Sequence, residues 1–330
     1  MTTFGIYQAG IGWDFGQFRD YVIEAEALGY DAFWTMDNVV LIHPETEEQV
    51  PVYETWVLLP ALASVTSKIR LGPLVTPCNR RHPALFAKMT TSFDQISHGR
   101  LDLGMGPGDD PIYFIPWGMS YPKTSERIAI LREEIEVIKR MWTEERASYE
   151  GKFYRLDEAV NHPKPVQTPH PPIWIGLVMG KKLMPRLAAE VADGINLYNG
   201  SDVAVRELLD TVKRNCDETG RDYDAIPKSR SVNVIFSDQP IANDESSYFR
   251  PKDVEVVKKM SLDDQLAEMK VKKYSNFVRL TERFVVGTPD QIAEELSEIK
   301  DMGFDQIILG GLETAEDLAR FKEEVRPKVG

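Results

Sequence analysis

Leu28-Gly-Tyr-Asp-Ala-Phe-Trp34, Ala192-Asp-Gly-Ile-Asn-Leu197 and Met302-Gly-Phe-Asp-Gln-Ile-Ile-Leu309 repeat one local design along the chain. In each, a helical stretch reaches a glycine and passes within a few residues into an apolar or β-branched run. Glycine adopts the left-handed conformation that ends many helices without steric cost. A short apolar run suits a strand buried on both faces, as in parallel sheets. Three such helix-to-strand junctions mark a chain of βα units.

Working outward, eight candidate strands alternate with helical patterns: Phe4–Tyr7, Ala32–Thr35, Ile69–Thr76, Leu101–Met105, Ile173–Gly176, Gly194–Leu197, Ser231–Phe236 and Gln306–Leu309. Between them Ile128, Leu131, Ile135, Ile138 and Trp142 recur at steps of three and four, as do Ile292, Leu296 and Ile299, so each helix carries one apolar stripe. Thr288-Pro-Asp-Gln291 combines an N-cap, a proline at the first helical position and a glutamine three residues after the cap, and another helix opens at Thr314. Eight units without a GxGxxG fingerprint after the first strand favour a closed (β/α)8 TIM barrel over a doubly wound sheet. The expected organisation is one barrel domain over residues 1–330, elaborated by a short hairpin at Tyr149–Tyr154 and by a polar insertion at 238–283 that suits either a lid or a solvated appendage.

Composition narrows the function. The 330 residues carry 52 acidic against 39 basic side chains, a formal charge of −13, which disfavours nucleic acid and anionic membrane surfaces as partners. Two cysteines, Cys78 and Cys216, supply neither a disulfide framework nor a thiolate metal site and fit a reducing cytoplasm. No signal-peptide pattern opens the sequence, and no apolar run approaches a membrane span. HExxH, Gly-x-Ser-x-Gly, Walker and clustered Cys/His patterns are absent, which disfavours metal hydrolases and elbow-type esterases. The five histidines are scattered; His82-Pro83 reads as a helix start and His98-Gly99 as a turn.

Barrel enzymes place their chemistry just after the strands, at the C-terminal face. The candidates there are Met36, Asp37 and Asn38; Pro77, Cys78 and Asn79; Gly106-Pro-Gly-Asp-Asp110; and Leu177-Val-Met-Gly-Lys-Lys182. The last, a strand running through a glycine-containing loop into a helix beside two lysines, suits a phosphate, although Gly180 also suits a plain turn and both lysines a solvated face. Gly104-Met-Gly-Pro-Gly108 lets a flat ring approach backbone, and Asp109 offers a carboxyl there, as proton donor or helix cap. Asp37 has the same two readings, function or loop capping.

The string Phe93-Asp-Gln-Ile-Ser-His-Gly-Arg-Leu-Asp-Leu-Gly-Met-Gly-Pro-Gly108 resembles the helix-3 to strand-4 signature of the luciferase-like monooxygenase superfamily. Ile69-Arg-Leu-Gly-Pro-Leu-Val-Thr76 with Arg81-His-Pro83, Tyr149-Glu-Gly-Lys-Phe-Tyr154, Pro171-Pro-Ile-Trp-Ile-Gly176, Ala192-Asp-Gly194 and Val286-Gly-Thr-Pro289 follow in the family's order, over nearly the whole chain. Leu-Gly-Pro-Leu-Val-Thr with Arg-His-Pro and Gly-Pro-Gly-Asp looks most like members that use the deazaflavin coenzyme F420 rather than FMN.

The resemblance implies cofactor contacts from Asp37, Leu74, Val75, Thr76, Pro107, Gly108, Leu177, Val178, Gly180 and Lys181, with a cis peptide at Leu74-Val75 against the ring. It implies catalytic roles around Asp37, Asn38 and Asp109. Asn38 departs from the family, because many relatives carry a titratable histidine there and asparagine cannot titrate. Strand 1 ends in Tyr7-Gln8 rather than the acidic residue of methylenetetrahydromethanopterin reductases, which the Gly-Pro-Gly-Asp string otherwise resembles. The implied activity is hydride exchange between F420 and a small organic substrate, in a homodimer. The alternatives are an FMN-dependent two-component monooxygenase served by a flavin reductase, and a binding protein without turnover.

Overall fold

The computed structural model describes residues 2–42, 49–108, 110–178, 180–198, 200–239 and 283–329. The elements begin β1 (Thr3–Tyr7), α1 (Phe15–Ala27), β2 (Ala32–Thr35), β3 (Leu41–Ile42), β4 (Gln49–Val50), α2 (Thr55–Ala63), β5 (Arg70–Pro73) and β6 (Thr76–Pro77). There follow α3 (Pro83–Ile96), β7 (Leu103–Gly106), α4 (Thr124–Thr143), β8 (Ala147–Glu150), β9 (Arg155–Ala159), β10 (Ile173–Leu177) and α5 (Leu183–Val191). The described remainder is β11 (Gly194–Leu197), α6 (Asp202–Thr219), β12 (Lys228–Phe236), β13 (Phe284–Gly287), α7 (Pro289–Asp301), β14 (Gln306–Gly310) and α8 (Ala315–Arg320). The chain divides into two compact units, residues 8–175 and residues 1–7 with 176–330.

In the unit of residues 8–175, β2 pairs in parallel with β5, β6 with β7, and β7 with β10, where Ile173 faces Leu103. The segment Ile69–Thr76, expected as one strand, is split by a cis peptide between Leu74 and Val75, so β5 and β6 flank a step. Alongside, Leu71 bridges Leu101, and no side chain fits at Gly104, where a Cβ would meet the Pro73 carbonyl oxygen at 2.1 Å. The family-like string is thus largely structural. Arg100 is buried and donates to the carbonyls of Ala63 (2.8 Å), Ile69 (2.9 Å) and Ser97 (2.7 Å), tying the ends of α2 and α3 to β5. Asp94, also buried, accepts from the backbone of Val166 and Gln167. Helix α4 buries the expected stripe from Ile128 to Trp142. His82 caps α3 through its ring nitrogen, and His98 and Gly99 form the expected turn with positive φ. The hairpin near Tyr149 is longer than expected: β8 and β9 pair antiparallel from Ala147 to Ala159.

In the other unit the parallel order is β1, β14, β12, β11, with Thr3 facing Gln306, Ser229 facing Gln306 and Ile195 facing Lys228. The nine-residue β12 begins before the expected Ser231, and its C-terminal half also pairs with β13, a strand just after the expected insertion that is not among the eight expected strands. Helix α7 opens with a full capping box between Thr288 and Gln291, and α8 with one between Thr314 and Asp317. Helix α6 buries Val205, Leu208, Leu209 and Val212, a single stripe. Gly29 and Gly303 hold the left-handed conformation expected at the repeated junctions, but Gly194 is the first residue of β11. There α5 stops at Val191 and Ala192 is already extended, so no left-handed residue is needed. All eight expected strands are present with adjusted ends. The proposed insertion lies outside the described residues from 240 to 282.

Candidate functional site

Asp37 follows β2 and is 1% exposed, and among the described residues side chains rather than loop amides satisfy its carboxylate. Its Oδ2 accepts from Thr76 Oγ1 at 2.9 Å, Trp56 Nε1 at 3.2 Å and Arg81 Nη1 at 2.7 Å, and its Oδ1 lies 3.3 Å from Arg80 Nη1. Arg80 also donates to the Asp37 carbonyl, and Arg81 to Glu54. The arginine side chains are 3% and 14% exposed, so this is a largely desolvated charge cluster whose hydrogen bonds replace lost hydration. Glu54 is the N-cap of α2 and Trp56 lies in its first turn, so the start of α2 and the loop after β6 both converge on the end of β2.

Beside Thr76, the run Leu71–Cys78 is buried except at Leu74 and Val75, which are half-buried. Leu74 is held by its N–H to the Thr35 carbonyl at 2.7 Å, and Val75 lies over Gly106, where a Cβ would come within 2.6 Å of its methyl group. An apolar step therefore opens beside a buried carboxylate, with the cis bond where the resemblance implies it.

After β7, Pro107 and Gly108 are fixed by Arg127 of α4, whose guanidinium donates to the carbonyls of Pro107 (3.0 Å), Gly108 (3.1 Å) and Pro122 (2.7 Å) and lies 4.0 Å from the centre of the Tyr121 ring. Gly108 has φ +75°, a conformation that side chains resist. Asn38 is half-buried, with its amide 3.4 Å from the Met36 sulfur, a weak acceptor that leaves the amide available to a better one. Asp109 lies outside the described residues.

In its own unit, the loop after β10 runs from buried Leu177 through half-buried Val178, Gly180 and Lys181 to Lys182, which starts α5 without a side-chain cap. Space is open where a Gly180 Cβ would stand. An uncapped helix start beside lysines suits an anionic oxygen.

Asp37, Thr76, Leu74 and Val75 are thus brought together, with Pro107 and Gly108 on the adjoining loop. The sequence reading missed Arg80, Trp56 and Glu54 as partners of Asp37, and Arg127 as the clamp on the Gly-Pro-Gly loop. The doubled arginine before His82-Pro83 was the available signal, since two adjacent charges whose side chains become buried call for a counter-ion.

Parallel strands alternating with helices, and polar side chains gathered where β2, β6 and β7 end, are the arrangement of an α/β-barrel enzyme. The chain belongs to the luciferase-like monooxygenase family, whose model matches residues 3–306. It is 26% identical over 321 residues to an F420-dependent glucose-6-phosphate dehydrogenase of Kineococcus radiotolerans, covering 94% of this chain and 92% of that one. The coenzyme F420-dependent tetrahydromethanopterin reductase of Methanopyrus kandleri superposes with a TM-score of 0.78 at 21% identity, covering 100% of this chain and 99% of that one. An F420-dependent secondary alcohol dehydrogenase, solved with an F420–acetone adduct, gives 0.79 at 18% identity with the same coverage. These likenesses show the fold, the luciferase-like (β/α)8 barrel. Among the described residues no helix is long and apolar enough to cross a membrane.

Proposed function

We propose that the protein is an F420-dependent oxidoreductase that exchanges a hydride with a small organic substrate. The observation that carries this is the half-open Leu74–Val75 step, set between the Asp37 cluster and the Arg127-clamped Pro107–Gly108 loop. A planar tricycle needs an apolar backing and backbone that approaches closely, and the half-buried Leu74 and Val75 beside Gly106 support that reading. The curated relatives named F420-dependent dehydrogenases, aligned over nearly the whole chain, support the deazaflavin over FMN. Bound F420 supplies a hydride-accepting or hydride-donating ring carbon; the protein supplies position and electrostatics.

In this reading Leu74 and Val75 back the ring, the buried Asp37 cluster keeps that step rigid, and Asn38 offers an N–H to a substrate oxygen. Because Asn38 cannot take up a proton, the proton accompanying hydride transfer belongs to another group, and Asp109 is our candidate. Secondary alcohols and phosphorylated sugars, the substrates in the relatives' names, are the first classes to screen.

The test is titration of the purified protein with F420 and, separately, FMN, followed by fluorescence. Selective F420 binding with substrate-dependent bleaching of its absorbance supports the proposal. Selective FMN binding with oxygen uptake in the presence of a flavin reductase would replace it with the monooxygenase reading, and binding of neither would withdraw the cofactor assignment.

A further inference from the structure

Two buried side chains of opposite charge lie seven residues apart on one face of α4. Arg127 holds the loop after β7. Glu134 holds the loop after β6: its Oε1 accepts from the backbone N–H of Asn79 at 2.8 Å and from the Tyr154 hydroxyl at 2.7 Å. Asn79 has φ +62°, a conformation that needs local support in a non-glycine residue, and its amide is pinned to Ser120. Arg80 and Arg81 come next in the chain and reach Asp37. One carboxyl on α4 therefore fixes the turn that aims both arginines.

We propose that Glu134 is a positioning residue, acting through Asn79 on the Arg80–Arg81–Asp37 cluster, and that its protonation sets how firmly the Leu74–Val75 step accepts the cofactor. The cofactor clause rests on the F420 reading; the coupling to Asp37 does not.

The groups around Glu134 come from its own helix, the loop after β6 and the β8–β9 turn. Its own helix contributes Glu133 and Arg127, and the loop after β6 contributes Cys78, whose thiol is 3.3 Å from the Arg127 carbonyl. Tyr154 comes from the β8–β9 turn. His82, the cap of α3, packs edge-on to Tyr154 with ring centres 5.6 Å apart. Among the described residues Glu134 has no ion pair, and burial pushes its pKa up to about 7, against the opposing hydrogen bonds from Tyr154 and Asn79. Burial also raises the Cys78 thiol, with Glu134 adding to it, so Cys78 stays neutral. An ionised carboxylate makes charge-assisted, stronger bonds to the Asn79 N–H and the Tyr154 O–H than the neutral acid does. The anchor is tight above neutral pH and loosens below it.

The experiment follows the Trp56 indole N–H resonance, which reports on Asp37 and Thr76, by NMR in the cofactor-free protein, alongside F420 affinity by fluorescence. In wild type the resonance should titrate with a midpoint near neutrality, and in Glu134→Gln, which keeps the shape, that midpoint should vanish. The ratio of the variant's F420 Kd to that of wild type, which cancels titration of F420 itself, should be about tenfold near pH 8 and fall towards unity near pH 6. A midpoint retained in Glu134→Gln would show that a group other than Glu134 sets it and overturn the proposal, as would a pH-independent Kd ratio. A midpoint lost in the variant with no F420 binding by either protein would uphold the coupling to Asp37 and overturn the F420 reading instead. Should Glu134→Gln fail to fold, Tyr154→Phe keeps the carboxyl and removes one bond that favours its ionised form, so the midpoint should move up; an unmoved midpoint counts against Glu134.

Discussion

Asp37 Oδ2 and Arg81 Nη1 lie 2.7 Å apart, joining the end of β2 to the start of α3, with the carboxylate almost wholly removed from solvent. Asp37→Asn keeps the shape and removes the charge, leaving two desolvated arginines without their shared counter-ion. The expected cost is about 3–5 kcal/mol of unfolding free energy, read by urea denaturation, with F420 binding weakened at least tenfold. Wild-type affinity in a folded Asp37→Asn protein would remove the cluster from the cofactor site.

Arg127 spans three carbonyls with one planar fork, which a lysine ammonium cannot do. Arg127→Lys should destabilise the protein by about 2 kcal/mol and weaken F420 binding several-fold by freeing Pro107 and Gly108. Thermal unfolding and F420 titration check the two effects separately; unchanged binding would show that the loop does not touch the ring.

Gly104 has no room for a methyl group, because its Cβ would stand 2.1 Å from the Pro73 carbonyl oxygen. Gly104→Ala should separate β7 from the end of β5 and cost roughly 3 kcal/mol or more, at the upper end of overpacking penalties. Gly180→Ala meets nothing and should leave stability within about 0.5 kcal/mol. Denaturation midpoints of the two variants side by side decide the matter.

Glu134 also predicts a stability profile. Its folded pKa, about 7, lies above the ordinary 4.5, so the native state keeps a proton that the unfolded chain releases. The associated stability is fully present below the unfolded value and is lost as pH rises through about 7; two to three pKa units correspond to on the order of 3 kcal/mol. Glu134→Gln lacks this dependence, so the variant should gain on wild type from acid to mildly alkaline pH. Parallel denaturation curves across that range would disprove the shift.

Glu26 behaves oppositely. Its carboxylate accepts from the backbone N–H groups of Ser67 (2.9 Å), Lys68 (2.6 Å) and Ile69 (2.9 Å). Burial alone would raise its pKa, but the donors of Ile69, Lys68 and Ser67 outweigh it and hold the pKa below the usual value. The resulting stability is present above the unfolded pKa and disappears as pH falls through the folded one. Glu26→Gln should cost about 1–2 kcal/mol at neutral pH, moderated by partial exposure, and the gap to wild type should close in acid. A gap independent of pH would show that charge is not what matters there.

Much of this was legible in the order of residues. The strands at Ala32–Thr35 and Gly194–Leu197, the capping boxes at Thr288 and Thr314 and the helix start at His82-Pro83 depend on neighbours within four residues, where sterics and local hydrogen bonds decide the outcome. Gly194 begins its strand as expected but is not the left-handed helix end that the repeated junction suggested, because glycine serves a strand start as readily as a helix end. The extra strand β13 was hidden because a four-residue edge segment has no pattern of its own until β12 is long enough to receive it.

The sequence by itself determined the alternation of strands and helices, the family and the list of residues at the strand ends, because these reside in short-range patterns. Only the tertiary structure decided what those residues do for one another. Thr76 meets Asp37 across 39 positions and Asn79 meets Glu134 across 55. The charge, burial and hydrogen bonding of a buried carboxylate belong to whatever distant segments the fold brings against it, and no local pattern encodes that.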